Sequence, residues 1–485
     1  MMYSLWRHFE GLCIGFGLIV LLSACGQPLS TKAATSPHTI PTPTAATTKV
    51  SQSCPVQGSA RAAVMPAMSA GKHANLIYTS QSTATNVSYD ATTLWRYDTT
   101  TAGTTKLVTG NISRSASISP DGQWALLTAE IENQWALQLI RMDGQELQTL
   151  YCAPGLDEAT FSPDQRFLAF VWQDTDPAAK TFGTTVYTLD LLDLATGKLQ
   201  TVYSGHGISN PLFSPDQRSL VFVEGTDPSS RAPLIMDVLN LMTGKQHAVL
   251  SAQQAGFPTL ALWNFTTARL VSSSGDWNSL IPLKWINNNG LLIRIGRLAS
   301  PGSVLRLYLL HDSSKDASQQ QNNLQYITAN DDPHNPCEDF DVTSDNQQLI
   351  CSHYDYYAGY AGEKPFPSVI KIRPLIGGTF HTIYQGPSGS ISVEAISNST
   401  LLITGPTELL WKMNIDGSGQ VQLMTAMEAK EHVQSTICHD SLYALTTYSP
   451  DSGEIKLAVG SLASGAPKTI ITTQDILTFV GWTQM

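Results

Sequence analysis

A six-residue phrase recurs in this chain and limits what it can fold into. Phe161-Ser162-Pro163-Asp164-Gln165-Arg166 returns as Phe213-Ser214-Pro215-Asp216-Gln217-Arg218. Each copy runs straight into an apolar stretch, FLAFVW at 167–172 and SLVFV at 219–223. The copies then stay in phase: Thr175-Asp176-Pro177 matches Thr226-Asp227-Pro228, and Thr196-Gly197-Lys198 matches Thr243-Gly244-Lys245. A third opening, Ile118-Ser119-Pro120-Asp121-Gly122-Gln123, precedes WALLTA. Repeats at a fixed period of roughly 20–50 residues are the mark of stacked or circular architectures.

One unit can be read physically. Proline presets φ at the second turn position, Ser and Asp bond nearby backbone, and Gly accepts a positive φ. The phrase is therefore a tight connection between antiparallel strands. The strand after it is apolar at nearly every position, as in a sheet covered on both faces. A variable loop follows, then VYTLDLLDL at 186–194, a Thr-Gly-Lys turn and LQTVY at 199–203. Four strands per unit of roughly 40–50 residues describe a propeller blade.

These residues resemble the TolB-type (PD40, WD40-like) propeller repeat, whose blades carry Ser-Pro-Asp-Gly before an apolar strand. The resemblance is clear at 119, 162 and 214 and fades afterwards. Trp285-Ile286-Asn287-Asn288-Asn289-Gly290 precedes LLIRI, Val342-Thr343-Ser344-Asp345-Asn346 precedes QQLICS, Ala395-Ile396-Ser397-Asn398-Ser399 precedes TLLITG, and Ile437-Cys438-His439-Asp440-Ser441 precedes LYALTTY. Turn formers still stand before an apolar strand in each. Residues 76–109 hold three strands and lack the opening one, whereas 475–485 (DILTFVGWTQM) supply a lone strand. Joining the two closes the ring and removes exposed edges. Units then begin near 76, 113, 157, 210, 282, 338, 392 and 435. The expected fold is an all-β single propeller of eight four-stranded blades, with seven as the alternative because 251–281 and the last units are poorly patterned. TolB itself adds an α/β domain, for which nothing before residue 75 provides, so a TolB-like role is not implied.

The N-terminus carries a different signal. Residues 11–22 (GLCIGFGLIVLL) are apolar, too short a run for a hydrocarbon core about 30 Å thick but suited to a secretory h-region. The run ends in Leu22-Ser23-Ala24-Cys25-Gly26, which resembles the bacterial lipobox. That resemblance implies a signal peptide over 1–24 and lipidation of Cys25, with acyl chains anchoring the protein to a membrane. Residues 26–53 are rich in Thr and Pro and poor in large apolar side chains, and such a segment cannot offset its ordering entropy. The reading is a lipidated cysteine and tether over 25–74, 55–74 being weakly ordered, and a propeller over 75–485. The protein is expected in the bacterial cell envelope, lipid-anchored on the extracytoplasmic side.

The net charge is -11 with only 14% charged residues, the wrong balance for nucleic acid, which needs a basic stripe. Beyond Cys13 and Cys25 the chain has Cys54, Cys152, Cys337, Cys351 and Cys438. Their spacing fits no zinc, redox or haem motif. An exported location permits disulfides, and the pairing stays open; five is odd, so one thiol is left free or paired between chains.

Binding sites are sought on the face opposite the Ser-Pro-Asp turns, where the long connections at 173–184, 224–232, 251–280, 329–337 and 354–367 leave; 312–322 is the exception. Tyr354, Tyr356, Tyr357 and Tyr360 offer rigid amphipathic contact area, although such residues also fold a loop on itself. Trp263 and Trp277 could line the channel mouth or simply pin a long connection. Asp331, Asp332, His334, Glu338, Asp339 and Asp341 form an acidic cluster whose spacing matches no EF-hand, and no metal site is assigned. The chain has no G-x-S-x-G elbow, H-E-x-x-H, P-loop or G-x-G-x-x-G motif. No catalytic residue and no cofactor is assigned. The expected function is a membrane-tethered, monomeric scaffold binding a protein or cell-envelope polymer. The alternatives are a hydrolase or lyase working at the channel mouth and a carbohydrate-binding module using the tyrosine loop.

Overall fold

In the computed structural model of the chain, the residues described are 51–68, 73–82, 92–173, 186–205, 207–225, 234–251, 260–264, 269–273, 279–297, 304–315, 323–329, 336–353, 367–405, 410–424 and 432–484. They form eight four-stranded antiparallel sheets and one two-stranded hairpin. Each sheet is a blade, and we label its strands A to D from the opening strand outward. Blade 2 is typical, with Ile112–Ile118, Trp124–Ile131, Gln134–Arg141 and Gln148–Ala153 paired in sequence order. The opening strands of blades 3 to 8 are Gly155–Phe161, Ile208–Phe213, Ser279–Trp285, Asp339–Val342, Ser392–Ala395 and His432–His439.

Blade 1 is built from both ends of the chain. The C-terminal strand Ile476–Gln484 pairs antiparallel with Ala74–Gln81, from Ala74 opposite Gln484 to Gln81 opposite Ile476. It supplies the A strand that the first three strands lack. The ring is closed, and eight blades stand where seven was the alternative.

The turn chemistry explains the repeat. In blade 3, Ser162 Oγ donates to Asp164 Oδ1 at 2.6 Å and accepts the Phe167 amide at 2.9 Å, while Asp164 Oδ1 accepts the Arg166 amide at 3.0 Å. The same three bonds recur on Ser119 and Asp121, on Ser214 and Asp216, and on Thr343 and Asp345 of the degraded blade 6 copy. Residue four of the turn takes a left-handed φ, 74° at Gly122 and 59° at Gln165. At Gly122 a Cβ would clash with Thr483 Oγ1 of the closing strand, so that position is fixed by contact as well as conformation. The C–D connection then hydrogen-bonds the A–B turn of its own blade: Leu194 to Arg166, Leu241 to Arg218, Leu375 to Gln347 and Leu462 to Ser441, amide to carbonyl at 2.7–2.9 Å.

There is no single central core. The buried apolar side chains fall into eight clusters, one between each pair of neighbouring blades. Alternation along the B strands distributes them. Leu76 and Tyr78 pack toward blade 8 and Ile77 toward blade 2; Ala125 and Leu127 pack toward blade 1, and Trp124 and Leu126 toward blade 3. A strand flanked by sheets on both sides must be apolar at consecutive positions, which is the pattern read from the sequence.

Two features lie outside the blade pattern. Between blades 4 and 5, Leu260–Asn264 pairs with Arg269–Ser273 as a separate hairpin. Residues 51–68, read from sequence as tether, lie against blades 2 and 3. Cys54 is disulfide-bonded to Cys152. The Arg61 amide donates to Leu150 O and the Ala63 amide to Leu194 O. Val64 exchanges bonds with the Gln148 amide group, and the Met68 amide donates to Gln123 Oε1. Ala60, Ala63 and Met65 pack on the cluster between blades 2 and 3. A further disulfide, Cys337–Cys351, joins the entry to blade 6 to that blade's B strand. Cys438 is disulfide-bonded as well, so none of the five cysteines is left as the free thiol that their odd number allows.

Candidate functional site

The A strands line the middle of the ring, and their polar residues are the first place to look for chemistry. Those of blades 6 and 7 place three carboxylates on neighbouring strands. Asp341 Oδ2 accepts the Ala395 amide at 2.7 Å and its Oδ1 accepts the Val342 amide at 2.7 Å. Asp339 Oδ2 accepts the Val393 amide at 3.3 Å. Glu394 Oε1 accepts the Cys438 amide at 3.2 Å, and its Oε2 lies 3.5 Å from Thr436 Oγ1 of blade 8. Each side chain reaches the A strand of the following blade. Glu158 of blade 3 does the same, accepting the Asn210 amide of blade 4.

These groups share one electrostatic condition. Burial raises the Glu394 carboxyl to about 8, and Asp341 and Asp339 add to the rise while the Cys438 amide opposes it. Burial lifts Asp339 to about 6, with the Val393 amide working against the shift. Asp341 and Glu158 are pushed up from the same cause. Glu394 and Asp339 keep some contact with solvent, so protein surrounds them without sealing them. Lys284 of blade 5 is the neighbouring cation; burial lowers its ammonium while Asp341 and Asp345 support its charge. The group thus holds a Glu394 that is mostly protonated at pH 7, beside two aspartic side chains whose carboxyls burial also raises. It can hold a proton and accept amide hydrogen bonds, and it ties blades 6, 7 and 8 together around the middle of the ring.

The carboxylates converge on strand-to-strand bonds rather than on a vacant point between them. Among the described residues, no three His, Cys, Asp or Glu side chains are placed to hold a metal ion. The acidic cluster read from sequence divides: Asp339 and Asp341 face blade 7, Glu338 lies 3.5 Å from His353 Nδ1, and Asp331, Asp332 and His334 fall outside the described residues. Tyr354, Tyr356, Tyr357, Tyr360, Trp277 and Cys25 also fall outside them. Trp263 is on the hairpin, opposite Leu270.

Sequence reasoning missed Glu394, Glu158 and Lys284. The available signal was an acidic residue inside an opening strand, as in LDEATF, DFDV and SVEA. A buried strand tolerates a carboxylate only with a partner, and here the partner is a backbone amide of another blade.

Several solved structures are similar to this chain. The β-propeller domain of the Trilobed protease from Pyrococcus furiosus is 14% identical, matches 65% of this chain and 84% of its own, and superposes with a TM-score of 0.36. TolB from Acinetobacter baumannii is 14% identical over 68% of this chain and 75% of its own, with a TM-score of 0.30. An oligogalacturonate lyase in complex with manganese is 13% identical over 72% and 73%, with a TM-score of 0.31. The likeness is one of fold. No family model and no curated protein matches the chain.

Proposed function

We propose that the chain is a lipid-tethered extracytoplasmic protein whose ring serves as a rigid platform for binding a protein or a cell-envelope polymer. The observation supporting this is the sidedness of the ring. The A–B turns of blades 2, 3, 4 and 6 are short and locked by Ser/Thr–Asp bonds on one face. The connections after Gln173, Glu224, Ser251, Arg297 and His353 all leave strand ends on the other face. Loops carried on a fixed frame are where binding residues concentrate. The lipobox-like Leu22–Cys25 segment supports the tether and the envelope location.

The test is crosslinking on intact cells followed by recovery of the protein from membranes, comparing wild type, a deletion of 354–367, and Cys25→Ser. The proposal expects a specific adduct that the loop deletion removes, and a Cys25→Ser protein that leaves the membrane fraction. A loop deletion that keeps every adduct, or a Cys25→Ser protein that matures and stays membrane-bound, overturns the corresponding half.

The second reading, a hydrolase or lyase in the channel, is favoured by one observation: the raised carboxyls of Glu394 and Asp339 on adjacent A strands. Perturbed carboxyl groups cluster at catalytic sites and also at structural ion networks. Turnover of an envelope glycan or peptide that Glu394→Gln abolishes without loss of fold would replace the first reading by this one. Glycan binding without turnover, lost on replacing Tyr356, Tyr357 and Tyr360, would instead support a carbohydrate-binding module.

A further inference from the structure

A crevice opens between blades 5 and 6 on the loop-bearing face. Leu305, Leu307 and Phe340 form its apolar walls, and Arg294, Arg306 and Glu338 bring charge to it. The Cys337–Cys351 disulfide holds the blade 6 wall to its own sheet.

Arg294 is the anomaly. It sits mid-strand in Leu291–Arg297, between the buried Ile293 and Ile295. Pairing opposite Leu307, it shares the face that Leu292, Leu307 and Leu309 turn toward blade 6. Its Nε is sealed from solvent without a hydrogen-bond partner. Among the described residues the guanidinium makes neither a hydrogen bond nor an ion pair, and burial lowers its proton affinity with no anion recorded to offset it. Glu338 lines the same crevice but lies toward His353 Nδ1 at 3.5 Å. A partly buried cation without a counter-charge carries part of the desolvation penalty, and an unsatisfied buried donor calls for an external partner.

We propose that this crevice binds a carboxylate-bearing ligand, one carboxylate oxygen entering to accept a hydrogen bond from Arg294. Three properties select that chemistry. The guanidinium presents planar, charged donors. The cavity volume of about 20 Å³ admits about one water-sized group, so one oxygen enters and the rest of the ligand stays outside. Arg294, Arg306 and Glu338 together leave the crevice one net positive charge, which a carboxylate monoanion neutralises and a phosphate dianion exceeds. The site does not depend on the scaffold reading, since a small carboxylate would occupy it whatever the ring docks with.

The experiment uses the full-length protein with acetate as probe, and inorganic phosphate as a second arm, both at constant ionic strength against chloride. Wild type should show a saturable rise in melting temperature with acetate, with an apparent Kd on the order of millimolar for so small a contact. Arg294→Met should melt higher than wild type without acetate and lose the response. Arg294→Lys, which keeps the charge but not the fork, should need about 10-fold more acetate. Four outcomes overturn the proposal: no saturable response in wild type, an equal response in Arg294→Met, an Arg294→Lys response identical to wild type, or stabilisation by phosphate alone. Should Arg294→Met fail to fold, the wild-type and Arg294→Lys titrations still decide the matter.

Discussion

Replacing Glu394 by Gln should stabilise the ring, and only above mildly acidic pH. The carboxyl rises from 4.5 to about 8 on folding. The folded state therefore keeps a proton that the unfolded chain releases. Stability falls as pH climbs from about 4.5 to about 8 and is level beyond. A shift of that size corresponds to roughly 5 kcal/mol at about 1.4 kcal/mol per unit. Residual solvent contact and a higher effective dielectric cut this to about 2–3 kcal/mol. Gln keeps an acceptor for the Cys438 amide, replaces the protonated oxygen by a donor of similar size, and never ionises. Wild type and Glu394→Gln should lie within about 1 kcal/mol of each other at pH 5 and diverge to about 2–3 kcal/mol in favour of the variant at pH 8.5. For a ring of roughly 400 residues that is about 3 °C in melting temperature. Thermal melts across pH 5–9 read the difference directly. A constant difference at every pH, or a wild type that gains on the variant as pH rises, would refute the reasoning.

Other perturbations test other parts of the frame. Ser162→Ala strands the Phe167 amide and removes the Asp164 contact at a fully buried site; urea unfolding should show a loss of about 1–2 kcal/mol, and an unchanged midpoint would deny the turn its structural role. Deleting 476–485 leaves Ala74–Gln81 with an open edge, so size-exclusion chromatography should show aggregates in place of a monomer; a stable soluble monomer would mean the ring holds without closure. Cys54→Ser with Cys152→Ser removes a link across a sequence separation of 98, worth about 4–5 kcal/mol in the chain-entropy model. Trypsin should then cut after Arg61 in the double variant well before it does so in wild type, and equal cleavage would show that the hydrogen bonds alone hold the segment.

What sequence revealed, and what it hid, follows from the range of the forces involved. The Ser-Pro-Asp turns were legible because their bonds span five residues or fewer. Blade 6 shows which part matters: Thr343 and Asp345 keep the bonds although the flanking residues have changed. Closure was legible because a strand lacking its partner at one end had a counterpart at the other. The strap over 51–68 was not, since its attachment rests on backbone amides, small side chains and a disulfide, none of which imposes a periodic pattern. The hairpin at 260–273 broke the repeat without offering one of its own. Asp339 and Asp341 passed for loop acids because their partners are amides of another blade, and Glu394 passed unnoticed for the same reason.

The strap decides how the protein bears load. A pull applied at Ser51 reaches the ring on the outer strand of blade 2, where Ser51 is hydrogen-bonded to Thr149 and Cys54 is bonded to Cys152. Between Cys54 and Met68 the hydrogen bonds of the strap to blades 2 and 3 add to the disulfide. The joint at which the two ends of the chain meet is the mechanically vulnerable point of any such ring, because only hydrogen bonds and side-chain packing hold it. Here tension is diverted around that joint into a strand already braced by its own sheet. In a reducing environment that diversion would rest on the hydrogen bonds of the strap alone.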